Sequence, residues 1–297
     1  MSRLALALLA SVALAACAGE PPPGEEPNVP QAARFGLISV TYGHSWAESG
    51  DGMLLTTAAQ FVRYSALHRD QVGRLLALPL DPDGDLPGLE RCRVDDLSVD
   101  LASSAPTEPE SGSVELLEAG DLQVQTQGRN FRLAPKHYPG LLPFISGVVY
   151  GEAEASLVEN AANVHASSNG GETVGPFVAQ LGSPSLPRLL QVGAAQPSQA
   201  IGLLHDRDLQ VRWQPPTDAQ AGDVLYLELR FSKGTREQAL RCRPLDDGSF
   251  DIPQALLADV NGNAVLEIAR LRRTPFSTTG LDQAELRVTV RDTAALQ

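Results

Sequence analysis

The residues best placed to do chemistry are two runs of oxygen ligands. Asp81, Asp83 and Asp85 stand at alternate positions in Asp81-Pro82-Asp83-Gly84-Asp85, with Glu90 beyond them, and Asp259, Asn261 and Asn263 repeat that spacing with Glu267 beyond. Hard oxygen donors spaced in this way can wrap a calcium ion. Both runs depart from the twelve-residue calcium-loop rule. Leu86 and Ala264 occupy the position of its invariant glycine, and Cys92 and Arg270 that of its final glutamate. They read as acidic turns first and as calcium candidates second.

There are 3 cysteines, none in a C-x-x-C pair and none beside a histidine cluster of metal-ligand spacing, which sets a structural zinc site aside. Cys92 and Cys242 each stand in Arg-Cys-Arg. In an exported chain they could form one disulfide. Equally, they could be two buried small residues, one per domain, that never meet; both alternatives stay open at this level. Flanking arginines would lower a thiol pKa, but nothing else in the sequence builds a thiol catalyst.

A serine nucleophile is the next candidate. Gly43-His44-Ser45-Trp46-Ala47 follows a strand pattern and is similar to the G-x-S-x-G elbow of α/β-hydrolases, with Ala47 in place of the last glycine. That elbow needs a helix after the serine, whereas Glu48-Ser49-Gly50-Asp51-Gly52 is a turn sequence. An exported serine hydrolase centred on Ser45 is therefore the alternative reading, behind a hairpin whose serine and histidine are solvated. His68-Arg69-Asp70 matches the first letters of a kinase catalytic loop, but no Gly-rich loop, paired lysine or Asp-Phe-Gly accompanies it. The histidines, His44, His68, His137, His165 and His205, are scattered through separate segments. No catalytic residue, cofactor or metal ligand is expected from this pattern.

Charge narrows the partners. The 297 residues carry 23 Lys and Arg against 36 Asp and Glu, a formal net charge of −13 that would repel phosphates, so no nucleic-acid partner is expected. At the N-terminus, Arg3 precedes an apolar stretch from Leu4 to Leu14 that is too short to span a bilayer comfortably and reads as a secretion signal. It ends in Leu14-Ala15-Ala16-Cys17, which resembles the lipobox of bacterial lipoproteins. The resemblance implies cleavage after residue 16 and acyl chains on Cys17, hence a membrane partner through a lipid anchor. Ala18 follows the cysteine where an aspartate is associated with inner-membrane retention, so an outer-membrane lipoprotein is implied. Residues 17–34 hold Gly19-Glu20-Pro21-Pro22-Pro23-Gly24-Glu25-Glu26-Pro27, a tether that cannot bury a core.

The elements that must position any site are short strands. Leu37-Ile38-Ser39-Val40-Thr41-Tyr42 and Asp121-Leu122-Gln123-Val124-Gln125 alternate apolar and polar residues, the mark of half-buried strands. Gly50-Asp51-Gly52, Asn169-Gly170-Gly171 and Asp247-Gly248 read as hairpin turns. Helical periodicity is confined to short pieces, Asp70 to Leu78 and Pro253 to Val260, so a doubly wound sheet is disfavoured. The expected fold is all-β, with two β-sandwich-like domains at 35–190 and 191–297 and the joint in Ser183-Pro184-Ser185-Leu186-Pro187 and the Gly193 to Ser198 stretch.

Within the second segment, Asp208 to Trp213 before Pro215-Pro216 resembles strand B of a fibronectin-III or immunoglobulin-like sandwich. Leu240-Arg241-Cys242 and Asp247 to Pro253 resemble a pattern in uncharacterised lipoproteins of myxobacteria and their relatives. Ala119 to Val124 and Gly175-Pro176-Phe177 fit the first segment of that group. The resemblance implies architecture and anchoring and supplies no activity. The expectation is a lipid-anchored cell-envelope protein that acts as a non-enzymatic binding or structural module, with an envelope protein or a glycan as its unknown partner.

Overall fold

The computed structural model describes residues 32–45, 53–97, 112–126, 129–142, 145–151, 153–157, 163–199, 201–202, 206–260 and 262–297. In chain order the strands are β1 (Ala33–Ser45) and β2 (Met53–Ser65), then, after helix α1 (Arg69–Leu75), β3 (Arg91–Asp96), β4 (Ser113–Leu116), β5 (Leu122–Thr126), β6 (Arg129–Leu133), β7 (Pro135–Leu142), β8 (Ile145–Tyr150) and β9 (Ala153–Leu157). They continue with β10 (Asn163–Ser168), β11 (Phe177–Gly182), β12 (Leu189–Val192), β13 (Leu209–Trp213), β14 (Val224–Lys233), β15 (Arg236–Arg243) and β16 (Ser249–Ile252). A one-turn helix, α2 (Gln254–Leu257), precedes β17 (Ala264–Pro275) and β18 (Gln283–Leu296).

The fold is all-β. One 11-stranded sheet runs in the order β3-β15-β14-β17-β18-β1-β2-β4-β8-β7, with β9 also paired to β2. A 4-stranded sheet, β11-β10-β5-β6, covers one end of it, and a 3-stranded sheet, β12-β13-β16, covers the other. The result is two sandwiches that share a large sheet. Their junction lies where β1 and β18, the first and last strands, pair in parallel from Phe35 opposite Gln283 to Ser45 opposite Thr293.

Alternation decides what each strand buries. On β18 the even positions face inward: Leu286, Val288 and Val290 enter the core beneath the 4-stranded sheet, and Ala294 and Leu296 enter the core beneath the 3-stranded sheet. Ile38, Val40 and Tyr42 of β1 join the first core. Trp213, Leu227, Leu229 and Ile268 join the second, where Trp213 is 1% exposed. The opposite face of the large sheet is partly covered by α1 and its surroundings, where Val72, Leu76 and Leu78 pack with Phe35, Leu37 and Val62. His68-Arg69-Asp70 is the start of that helix: the Gln71 side chain accepts a hydrogen bond from His68 N–H at 2.8 Å.

Asp247-Gly248 does not close a hairpin. β16 pairs with β13, in another sheet from β15, so this turn carries the chain from one layer to the other. A tighter turn fixes the 4-stranded sheet. Gly120 has φ +70°, and a Cβ there would stand 2.3 Å from the Gly170 carbonyl oxygen; the Ala119-Gly120 and Asn169-Gly170-Gly171 segments therefore interlock only as glycines. Tyr150 braces the same corner, its hydroxyl accepting from Ala119 N–H at 2.7 Å and donating to the Gly120 carbonyl at 3.0 Å. Burial, partly opposed by the Ala119 hydrogen bond, pushes this phenol up to about 12.

Candidate functional site

A cluster of ionisable groups lies on the face of the large sheet opposite the second core. Leu227 and Leu229 of β14 and Leu266 and Ile268 of β17 point inward, so the residues between them, Glu228 and Glu267, point the other way. They are direct cross-strand partners. Two like charges so placed repel unless cations intervene, and here arginines do. Glu228 is buried and accepts from Arg241 Nε at 2.6 Å and from Arg230 Nε. Glu267 accepts from the Tyr226 hydroxyl at 3.2 Å and from Arg291 Nη1 at 3.1 Å. Arg241 also reaches Asp95 of β3 at 3.4 Å.

Electrostatics fix what this cluster can do. Burial alone would raise the Glu228 carboxyl, but Arg230 and Arg241 outweigh it and hold the group below the ordinary carboxylate range. Tyr226 moves far the other way, because burial and the neighbouring Glu267 and Glu228 disfavour its phenolate. A carboxylate kept ionised beside a phenol kept neutral is a charge-compensated set. Gly43 belongs to this set through packing: it pairs with Arg291, and a Cβ on it would stand 3.0 Å from Arg291 Nε. The glycine that begins the serine motif thus leaves room for an arginine to lie across β1.

Ser45 is the last residue of β1, opposite Thr293 in register. The chain next returns as β2, which runs antiparallel to β1 with Gly43 opposite Leu54. A nucleophile elbow stands at a strand-to-helix crossover between parallel strands, and β1 and β2 are antiparallel neighbours. Trp46 and Ala47 lie outside the described residues.

The first calcium candidate is taken up by arginines. Asp83 accepts from Arg273 Nη1 at 2.7 Å and Nη2 at 3.0 Å, and that hydrogen bonding holds its carboxyl below the usual range. Asp81 lies 3.4 Å from Arg69 and 3.7 Å from Arg287, and Asp85 accepts from the Asp81 backbone N–H at 2.7 Å. With Leu86 and Leu80 seated on Val224 and Tyr226, the 80–86 segment is strapped to the sheet by its acids. In the second candidate Asp259 pairs with Lys233 Nζ at 2.7 Å, while Asn261 lies outside the described residues. Among the described residues no group of three or more His, Cys, Asp or Glu is gathered to hold a metal ion.

Cys92 and Cys242 form a disulfide, with Cα atoms 4.0 Å apart. They are direct partners on β3 and β15, so the bond fastens an edge strand from the first half of the chain to the second sandwich. Cys17 and the tether before residue 32 lie outside the described residues, as does His205. Among the described residues no helix is long and apolar enough to cross a membrane.

Sequence reasoning missed a second ionic group, a seam between the two cores. On β17 the inward face changes from Ala264, Leu266 and Ile268 to Arg270 and Arg272, both buried. Arg270 grips Asp246 with Nε at 2.7 Å and Nη2 at 2.9 Å, and donates to Ser185 Oγ at 3.0 Å and the Gln214 carbonyl at 3.3 Å. Arg272 takes Asp223 in a fork at 2.8 Å on both branches and the Asp218 carbonyl at 2.8 Å. Asp292 of β18 accepts from Leu189 N–H at 2.8 Å. Ser183 and Ser185 are thus held by hydrogen bonds from charged side chains. The signal was two arginines at positions that continue the Leu266 and Ile268 face of β17, and their charge argues against the burial that the period implies.

A scan of protein-family models finds no match to this chain, and a search of curated proteins finds no relative.

Proposed function

We propose that the protein is exported and anchored by acyl chains on Cys17, and that it serves the cell envelope, on the outer membrane, as a non-enzymatic binding or structural module. The observation that carries the reading is the Cys92–Cys242 disulfide, separated by 150 residues in sequence. Such bonds persist in oxidising compartments, which a secretion signal and lipobox would supply. The arginine pairing of Glu228 and Glu267, and the antiparallel β1–β2 pair that ends just before Ser45, favour a binding role over hydrolysis. A flexible Pro/Glu/Gly tether would hold the folded part away from the bilayer.

Labelled palmitate tests the anchor. The wild-type chain should incorporate label and fractionate with membranes, and Cys17→Ala should do neither. Equal labelling of the two forms, or a wild-type chain in the cytosol with reduced Cys92 and Cys242, would overturn the reading.

A further inference from the structure

The 4-stranded sheet buries one face in the first core and turns the other outward. In a chain with 36 acidic residues, its outward positions carry no carboxylate. Instead Gln180, His165, Gln125 and Asn130 stand opposite one another across β11, β10, β5 and β6, all exposed. A second row holds Ser167, Gln123 and Arg132, ending in Val178 at 76% exposed. Arg132 is neutralised by Asp121 at the rim. With strands about 4.8 Å apart, each row spans about 14 Å.

Every member of the first row is an amide or an imidazole, able to donate and accept through a planar group. None has a side-chain hydrogen bond or ion pair among the described residues. Their backbones are fixed from below, where Val124, Val164, Ala166 and Ala179 fill the core and the Tyr150 brace holds the Gly120 corner. This is an array of hydrogen-bonding side chains with no carboxylate at its outward positions. Polyanions would meet a strongly acidic protein with one compensated arginine. A protein partner would be expected to seek aromatic or apolar anchors, and this face offers only Val178. A chain of neutral sugars bearing hydroxyl and acetamido groups matches it: each such group both donates and accepts, none carries charge, and the polymer can lie along a row.

We propose that this face binds an uncharged N-acetylated glycan strand of the cell wall. The choice of cell-wall source rests on the envelope placement proposed above; the recognition chemistry does not. The full chain, purified from whichever fraction holds it, would be titrated with the hexamer of β-1,4-linked N-acetylglucosamine, followed by calorimetry and by NMR of labelled glutamine and histidine. The hexamer of β-1,4-linked glucose, which lacks acetamido groups, is the comparison. Saturable binding is expected to the first, weaker binding to the second, and a loss of about tenfold or more in the paired variant Gln125→Ala, His165→Ala. Val265→Ala, an exposed position on β17 in the large sheet, should bind as wild type. Because the paired positions are exposed, an unchanged melting temperature should verify that the variant folds. No binding of the N-acetylated hexamer, equal binding of the two sugars, or undiminished binding by the folded paired variant would each overturn the proposal. Palmitate labelling reports on the anchor separately, so a failed glycan titration with retained labelling sinks this inference alone.

Discussion

Asp246 is the residue whose removal should most expose the logic of the seam. It takes two hydrogen bonds from buried Arg270 and one from the Trp213 indole Nε1–H at 2.9 Å, so one carboxylate ties the largest buried side chain of the second core to the seam. Asp246→Ala leaves a guanidinium with no counter-charge inside the protein, which costs about 3 to 5 kcal/mol for a buried pair. The indole N–H, left unpaired, adds about 1 kcal/mol. Asp246 is itself 23% exposed, so water can reach part of the site and the lower end of that range is the expectation. That is still a large fraction of a net stability of about 5 to 15 kcal/mol. Replacing the cation as well, in Asp246→Ala with Arg270→Met, removes the stranded charge and should recover part of the loss. Urea unfolding followed by tryptophan fluorescence would measure all three forms. The reasoning fails if Asp246→Ala costs under about 1 kcal/mol, or if the two substitutions add, because either result means that the guanidinium does not depend on this carboxylate.

Four further outcomes are expected. Glu228 is held ionised below its ordinary value, so its stabilisation is present above the unfolded carboxylate pKa of about 4.3 and is lost as pH falls through the lower folded value. Urea midpoints should fall on acidification below about pH 4, less steeply in Glu228→Gln, and an identical slope would discount the cluster. The paired variant Cys92→Ala, Cys242→Ala should lose about 4 to 5 kcal/mol by loop-closure entropy, measured in the same unfolding assay. Gly120→Ala, forced into positive φ against the Gly170 carbonyl, should cost at least about 2 kcal/mol, and a wild-type melting curve would contradict the interlocked turn. Trp213→Ala should cost about 3 to 5 kcal/mol, read as lost protease resistance after residue 190.

Local pattern carried the strands and little beyond them. The alternation in Leu122-Gln123-Val124-Gln125 was enough to place β5 and to separate its buried valine and leucine from its outward glutamines. The amide row became visible only when register set Gln125 beside His165 and Asn130, because pairing is decided by distant residues. Distance also hid the fate of the acidic turns: Asp83 meets Arg273 across 190 residues, and a carboxylate's partner cannot be read from its neighbours. The parallel pairing of β1 with β18 is the extreme case, since it joins the two ends of the described chain. Cys92 and Cys242 lay in identical Arg-Cys-Arg contexts, which said nothing about whether β3 would reach β15.

The central claim concerns Cys17, and the mass of the N-terminal peptide of the mature protein, recovered from its own cells, tests it most directly. The account predicts a peptide that begins at Cys17 and carries acyl chains. A mature chain that begins elsewhere, or an unmodified Cys17, would contradict the anchor and with it the envelope role.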